Sequence, residues 1–172
     1  MKPEPQPRLG IDIGRVIIDG SAHPDGGDTA FFSGNESVML ATPEMAGAFA
    51  AIARLTELFE GRAWLVSKCG ERVQQRSRRW LAAHDFHALT GIPPEHLRFC
   101  RERRDKRLHC LELGLTHFVD DRPDVHAAIA DVVPHRYLFG PQGPRVSSDA
   151  TRVADWTETE AGITRQLRGR SA

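Results

Sequence analysis

Short apolar segments alternate with amphipathic segments along this chain, and that alternation limits the folds it can adopt. The apolar segments read as buried strands at 9–13 with a continuation at 16–18, and at 63–66, 97–100, 116–119 and 136–139. Helical spacing or helix signals follow most of them, at 43–58, 71–83, 106–113, 124–131 and 155–167. Strands that alternate with helices favour a parallel sheet covered on both faces. The sequence therefore predicts one α/β domain, a three-layer α/β/α sandwich with a mainly parallel, Rossmann-like sheet.

The pattern also divides the chain. We expect residues 1–8 to form a flexible leader, residues 9–145 the α/β core, and residues 146–172 a C-terminal extension that is partly helical. Glycine and proline are frequent in residues 19–42, which favours a loop or small flap. Thr42 is the predicted N-cap of the next helix, with Pro43 at its first position.

Composition excludes several classes of protein. The 172 residues carry a formal net charge of zero, so nothing global indicates a nucleic-acid or membrane partner. No apolar run approaches the roughly 20 residues of a membrane helix, and the N-terminus lacks an apolar signal segment. The three cysteines, Cys69, Cys100 and Cys110, are expected to be reduced thiols in a cytoplasmic protein; a zinc site is the weaker alternative.

Acidic residues follow two of the predicted strands, and they are the candidates for catalysis and metal binding. Asp12 ends the first strand and Asp120–Asp121 ends the strand at 116–119, while Ser67 ends another. Parallel sheets bind ligands at the carboxyl ends of their strands. An aspartate can attack phosphorus to form an aspartyl-phosphate, and Mg²⁺ bound by carboxylates would offset the repulsion between the two anions.

These residues suggest definite roles. Asp12 and Asp120 are the candidate magnesium ligands, with Asp121 as a further ligand or an anchor behind them. Ser67 can donate to a phosphoryl oxygen, helped by the amide of Lys68. Lys106 can neutralise the phosphoryl charge and pair with the carboxylates.

At this point the sequence resembles the haloacid dehalogenase-like (HAD) superfamily. Its four motifs correspond here to residues 11–17, 65–67, Lys106 and 118–121, and residues 113–123 look like the segment before the metal aspartates of small nucleotidase-like members. The resemblance implies that Asp12 is the nucleophile and a magnesium ligand, and that the carbonyl of Gly14 is another ligand. It further implies that Ser67 and Lys106 hold the phosphoryl group and that Asp120 completes the metal site.

Gly14 departs from the pattern of that superfamily. Its phosphatases usually have an aspartate there, which protonates the leaving oxygen and later activates water. Three interpretations remain open. The leaving group needs little protonation; another group such as Asp19, His23 or Asp25 supplies the proton; or the site binds a phosphorylated ligand without turning it over.

The segment between the first two motifs is too short for a large cap domain. We expect Phe31, Phe32 and Met39 to line the entrance of an open site. Such a site resembles those of members that act on large substrates or are closed by a partner subunit, and it is compatible with a homodimer.

Each motif also has a plainer interpretation. Asp120 and Asp121 could cap the following helix, and Lys106 lies in an arginine-rich run that could be a solvated face or a nucleic-acid contact. Cys69 could be a nucleophile, but no neighbouring histidine is placed to activate it, so we interpret it as a bystander.

Together the residues predict a magnesium-dependent hydrolase of a small phosphate monoester, a phosphatase or nucleotidase. The alternatives are a catalytically impaired binding protein and a different reaction at Asp12, such as attack on carbon.

Overall fold

A six-stranded, wholly parallel sheet forms the centre of the protein. The computed structural model describes residues 5–22, 31–32 and 34–170. The strands are β1 (Leu9–Ile11), β2 (Ala63–Lys68), β3 (Leu97–Cys100), β4 (His117–Asp120), β5 (His135–Phe139) and β6 (Thr151–Val153). Their order across the sheet is β3-β2-β1-β4-β5-β6, so β1 lies between β2 and β4. The predicted α/β fold is confirmed.

Helices cover both faces of the sheet. They are α1 (Glu36–Ala41), α2 (Ala48–Leu58), α3 (Glu71–Ala83), α4 (Phe86–Thr90), α5 (Lys106–Leu113), α6 (Pro123–Ala128) and α7 (Trp156–Gly169). Short 3₁₀ turns lie at Gly20–Ala22, Pro94–His96 and Arg103–Asp105. In the described part of the chain, no helix combines the length and apolar character needed to cross a bilayer.

Alternation along β2 divides the apolar core into two halves. Leu65 belongs to the half that contains Trp80 and Trp156, whereas Trp64 and Val66 belong to the half formed with α5 and α6. Successive strand residues point to opposite faces, so one short apolar strand supplies both halves. This arrangement holds the strand ends in fixed relative positions.

Several predicted elements are confirmed at or near their boundaries. The helices at 71–83 and 106–113 have the predicted bounds. The second of them ends at Gly114, whose φ of +62° lies in the left-handed region that glycine adopts without strain. The strand predicted at 97–100 is also present.

Other predictions were wrong. Thr42 is the C-cap of α1 and not an N-cap, and α2 begins at Ala48 after Gly47. Residues 16–18 do not form a strand. Val16 and Ile17 lie in a tight turn, in which the amide of Ile17 donates to the carbonyl of Ile13 over 2.8 Å, and Ile18 makes isolated β-bridges to Gly14 and Glu44. Capping and apolar patterns are local, and they do not reveal where the chain must reverse direction.

The strand at 135–139 is followed by a further strand that the sequence did not reveal. β6 pairs with β5 at the edge of the sheet, and α7 begins at Trp156 with Asp155 as its N-cap. The side chain of Arg54 on α2 holds Glu160 on α7 through two hydrogen bonds of 2.7 and 2.8 Å. Residues beyond 145 thus extend the sheet and pack on the core.

Candidate active site

The carboxyl ends of three neighbouring strands bring the predicted site residues together. Ile11 at the end of β1 pairs with Leu65 on β2 and Val119 on β4, so Asp12 lies level with Asp120 and one residue short of the level of Ser67. The amide of Asp12 donates to the carbonyl of Val119 over 2.9 Å, which ties the turn after β1 to β4. Three segments distant in sequence therefore meet at one edge of the sheet.

Lys106 enters this edge from the first turn of α5. Its ammonium group lies 2.8 Å from Oδ1 of Asp12 and 2.7 Å from Oδ2 of Asp120. The lysine side chain is 2% exposed and the Asp120 side chain is fully buried. Burial alone would lower the pKa of Lys106, but the two carboxylates outweigh it and raise that pKa above its usual range. Lys106 is therefore a fixed positive charge and not part of a solvated basic face.

Asp12, Asp120 and Asp121 form a compact carboxylate cluster. Each offers an oxygen, and these oxygens all lie within 4.8 Å of one another. Burial, followed by the charge of Asp120, raises the pKa of Asp12 to about 6. Burial, followed by the charge of Asp12, does the same for the pKa of Asp121, and burial also raises the pKa of Asp120. One ammonium group does not offset three crowded carboxylates.

That charge imbalance fits a divalent cation. Mg²⁺ prefers oxygen ligands and usually keeps waters and substrate oxygens beside one or two carboxylates. The plainer role, capping of the next helix, is not what the structure shows. α6 has Arg122 as its N-cap residue with no side-chain cap, while Oδ1 of Asp120 accepts a hydrogen bond of 2.9 Å from the amide of Arg122.

A cleft of about 280 Å³ opens above the cluster. Asp12, Gly14, Ser67, Lys68 and Lys106 all line it. Its walls also contain Asp121 and the aromatic residues Phe31 and Phe32. Every residue predicted for the site thus lines this cleft or, like Asp120, lies directly beneath it.

Gly14 leaves room where an acid was expected. A Cβ placed on Gly14 would have no atom of the described residues within 4 Å, and the φ of Gly14 is outside the left-handed region. Asp19 was one of the groups predicted to supply the missing proton. It lines a neighbouring cleft, and its carboxylate accepts a hydrogen bond of 3.0 Å from the amide of Ser21. His23 and Asp25 lie outside the described residues.

Two other expectations about the cleft have different outcomes. Met39 is fully buried in the core, so it does not line the entrance with Phe31 and Phe32. Cys69 does line the cleft, but burial and then the charge of Asp12 raise its pKa to about 11. A protonated thiol at neutral pH is a poor nucleophile.

Sequence reasoning missed three arginines of the cleft. Arg15, Arg103 and Arg122 all line it. Arg103 belongs to the basic run before Lys106, and Arg122 follows the aspartate pair. Both positions flank a motif, but no sequence signal separates them from neighbouring surface arginines.

Several solved structures of hydrolases have a similar fold. A D,D-heptose 1,7-bisphosphate phosphatase from B. bronchiseptica, complexed with magnesium and phosphate, superimposes with a TM-score of 0.64 and 15% identity, over 92% of this chain and 99% of that one. A haloacid dehalogenase-like family hydrolase from Xanthomonas campestris gives 0.62 and 11%, over 95% and 98%. The cobalt-bound deoxy-D-mannose-octulosonate 8-phosphate phosphatase from Haemophilus influenzae gives 0.54 and 12%, over 93% and 88%.

These similarities define the class of fold. The chain has the fold of the HAD-like hydrolases, as its four motifs predicted. No family model matches the sequence, and no curated protein matches it either. At identities of 11–15% the superpositions show the fold alone, so the evidence for a reaction lies in the side chains of the cleft.

Proposed function

We propose that this protein is a magnesium-dependent hydrolase of a phosphate monoester, with Asp12 as the nucleophile. The observation that carries the proposal is the contact of the Lys106 ammonium with both Asp12 and Asp120, at 2.8 and 2.7 Å, beneath an open cleft. The structural similarity to phosphatases, one of them complexed with magnesium and phosphate, supports the same class of reaction.

The residues divide the reaction into two steps. A carboxylate oxygen of Asp12 forms a bond to phosphorus as the ester P–O bond breaks, which gives an aspartyl-phosphate and an alkoxide that takes its proton from solvent water. Water then attacks that phosphorus and breaks the P–O bond to Asp12, which releases inorganic phosphate and a proton to solvent and returns Asp12 as a carboxylate. Lys106 and the Ser67 hydroxyl offset the charge on the phosphoryl oxygens.

Asp12, Asp120 and Asp121, with the carbonyl of Gly14, would hold the magnesium ion. A divalent cation there would supply positive charge that lets an anionic nucleophile approach an anionic ester. The cluster fits this role because its oxygens converge within 4.8 Å and burial raises the pKa of each carboxylate.

Gly14 favours a second candidate, a binding protein that holds a phosphorylated ligand without hydrolysing it. Among the described residues, no acid lies within 4 Å of a Cβ placed on Gly14, so none of them stands where the leaving oxygen would be protonated. General acid–base assistance commonly contributes about 10²–10⁴ in rate. An enzyme without it would be slow on esters of poor leaving groups and faster on esters of acidic alcohols.

The test is phosphate release from phosphomonoesters whose leaving groups span a wide range of pKa. We expect magnesium-dependent release that Asp12→Asn abolishes and that rises steeply as the leaving group becomes more acidic. Asp131→Asn is the matched control, because Asp131 is an exposed carboxylate paired with Arg107 on the surface. If wild-type protein releases nothing from an activated aryl phosphate but still binds phosphate with Mg²⁺, the binding role replaces the hydrolase.

A further inference from the structure

We infer that the ligand of this cleft carries a second anionic group, which Arg103 and Arg122 bind at its rim. This inference deepens the proposed function and rests on it, because it names the class of phosphate ester that the site accepts. Both arginines line the cleft beside the carboxylate cluster. Nothing in the proposed reaction itself uses them.

The two arginines converge on a single carboxylate. Nη1 of Arg103 lies 3.7 Å from one oxygen of Asp124, and Nε of Arg122 lies 3.3 Å from the other. The first distance is too long for a hydrogen bond and the second is at the long end. Asp124 also accepts a hydrogen bond of 3.1 Å from the amide of Val125. Among the residues that the structure describes, one shared carboxylate therefore leaves two neighbouring guanidinium groups incompletely neutralised.

Both guanidinium groups remain accessible to a ligand. The side chains of Arg103 and Arg122 are 44% and 42% exposed, in contrast to the 2% exposure of Lys106. Guanidinium groups present planar, paired donors that match carboxylate and phosphate oxygens. A pair of them at a cleft rim is thus suited to an anion and not to a neutral sugar or base.

The backbone fixes this pair relative to the reacting centre. Arg103 begins the 3₁₀ turn Arg103–Asp105 that leads directly into Lys106. The amide of Arg122 donates to Oδ1 of Asp120, the residue that Lys106 also contacts. A group bound by the arginines would therefore lie at a set distance from the phosphoryl group.

The charges of the cleft lead to the same conclusion. Among the described residues that line it, the carboxylates are Asp12 and Asp121, both assigned to the cation. The cations besides Lys106 include Lys68, Arg103 and Arg122. One phosphate dianion together with the metal site would leave this rim positively charged, and a second phosphate or carboxylate on the ligand would offset it.

The experiment compares ligands that differ in one anionic group. Fructose 6-phosphate is matched with fructose 1,6-bisphosphate, and glycerol 3-phosphate with 3-phosphoglycerate, so that one pair adds a phosphate and the other a carboxylate. We expect kcat/KM for at least one doubly anionic member to exceed that of its partner by about tenfold or more, mainly through KM.

Two variants and one control test whether Arg103 and Arg122 cause the preference for the doubly anionic ligand. Arg103→Gln and Arg122→Gln should each reduce the preference by about tenfold, the usual scale for one charged hydrogen bond. Arg107→Gln should leave it unchanged, because Arg107 lies in the same basic run but pairs with Asp131 at 2.7 Å and does not line the cleft. If all three variants reduced the preference equally, the cause would be the general change of charge, and the proposal that Arg103 and Arg122 bind the second anionic group would be wrong.

Failure of the reaction and failure of the rim site remain distinguishable. If wild-type protein hydrolyses none of the four esters, each is titrated into it by calorimetry in the presence of Mg²⁺. Tighter binding of a doubly anionic member, lost in Arg103→Gln and Arg122→Gln, would support the rim site although the proposed hydrolysis fails. Equal affinities within both pairs, or no binding of either doubly anionic ligand, would overturn it.

Discussion

The indole nitrogen of Trp156 donates a hydrogen bond of 2.7 Å to the carbonyl oxygen of Val16. Trp156 is the first residue of α7, and its ring is 1% exposed and packs against Phe139. Val16 lies in the turn that follows Asp12 and Gly14. The last helix of the chain therefore holds the turn that carries the proposed nucleophile, which makes residues after 145 part of the support of the site.

Trp156→Phe should weaken both the fold and the site. The change leaves the buried Val16 carbonyl without its donor, which costs about 1–3 kcal/mol of unfolding free energy, and removes part of a packed ring. We expect a loss of about 2–4 kcal/mol in urea unfolding, together with a smaller thermal shift on addition of Mg²⁺.

Trp80→Phe is the matched control. Trp80 is also buried and donates to a backbone carbonyl, that of Thr42, over 2.8 Å, but this bond is made outside the turn after Asp12. It should cost comparable stability and keep the magnesium response. Equal magnesium responses in the two variants would show that Trp156 only stabilises the core.

Lys106→Met should destabilise the protein more than an ordinary lysine replacement. Methionine keeps most of the length but leaves the buried carboxylates of Asp12 and Asp120 without their cation, a change that typically costs about 3–5 kcal/mol. The exposed Lys68 gives a matched control, since Lys68→Met should change the unfolding free energy by only about 0.5 kcal/mol. A loss below about 1 kcal/mol for Lys106→Met would contradict a structural ion pair.

The same variant should show a characteristic dependence on pH. Lys106 lowers the pKa of Asp12, so its removal raises that pKa further above the ordinary 3.8. Between the two pKa values the folded state binds more protons than the unfolded state, and stability therefore falls as pH rises through this window. Urea unfolding in EDTA should show a larger deficit for Lys106→Met at pH 7.5 than at pH 5, whereas equal deficits would argue against carboxylate repulsion.

Magnesium should stabilise the protein, and more strongly above pH 6 than below it. Burial raises the pKa of Asp12 and Asp121 to about 6, so at pH 5 both are largely protonated and must lose protons to bind a cation. A ligand at 100 times its Kd contributes about 2.7 kcal/mol, or a rise in Tm of roughly 5–10 °C for a chain of this size.

Variants of the carboxylate cluster test whether magnesium stabilises the protein by binding there. Asp12→Asn or Asp120→Asn should abolish the magnesium shift at pH 8 in a thermal melt, and Asp131→Asn should retain it. Asp12→Asn should also make the protein more stable than the wild type in EDTA near pH 7, because an ionised Asp12 is unfavourable in the folded state. A full magnesium shift in both cluster variants would place the cation elsewhere.

The sequence predicted those parts of the fold whose signals are local. The helix at 71–83 follows from its amphipathic spacing, and the end of α5 follows from Gly114. β6 was missed because three residues carry almost no pattern, and its place in the sheet depends on pairing with β5. Thr42 was wrongly predicted to be an N-cap because Thr-Pro is a common helix start, whereas here Thr42 ends α1.

Some features of the candidate site could likewise be predicted from the sequence, and others could not. Asp12, Ser67 and Asp120 could be grouped from sequence because parallel strands end at a common edge. The convergence of Arg103 and Arg122 on Asp124 could not be predicted, since it depends on how the turn before α5 packs beside the start of α6. The hydrogen bond from Trp156 to Val16 spans 140 residues and has no local signal.

Gly14→Asp tests whether the site lacks only its acid. Within the part of the chain that the structure describes, no atom lies within 4 Å of a Cβ placed on Gly14, and the φ of Gly14 suits an ordinary side chain. An aspartate could therefore point into the cleft without displacing Asp12 or Lys106. If the rest of the site is competent, phosphate release from esters of poor leaving groups should rise by about 10²–10⁴.

Gly14→Asn is the control for this gain, because asparagine has nearly the same shape and cannot transfer the proton. The comparison is made on an alkyl phosphate and on an activated aryl phosphate, whose leaving group needs little protonation. An added acid should accelerate the first much more than the second, since only the alkoxide needs a proton as it departs. A similar gain on both, or the same gain from Gly14→Asn, would mean that Gly14 affects binding or backbone position. No gain with Gly14→Asp, in a variant that unfolds like the wild type, would show that the Asp12–Lys106–Asp120 arrangement is not ready for phosphoryl transfer.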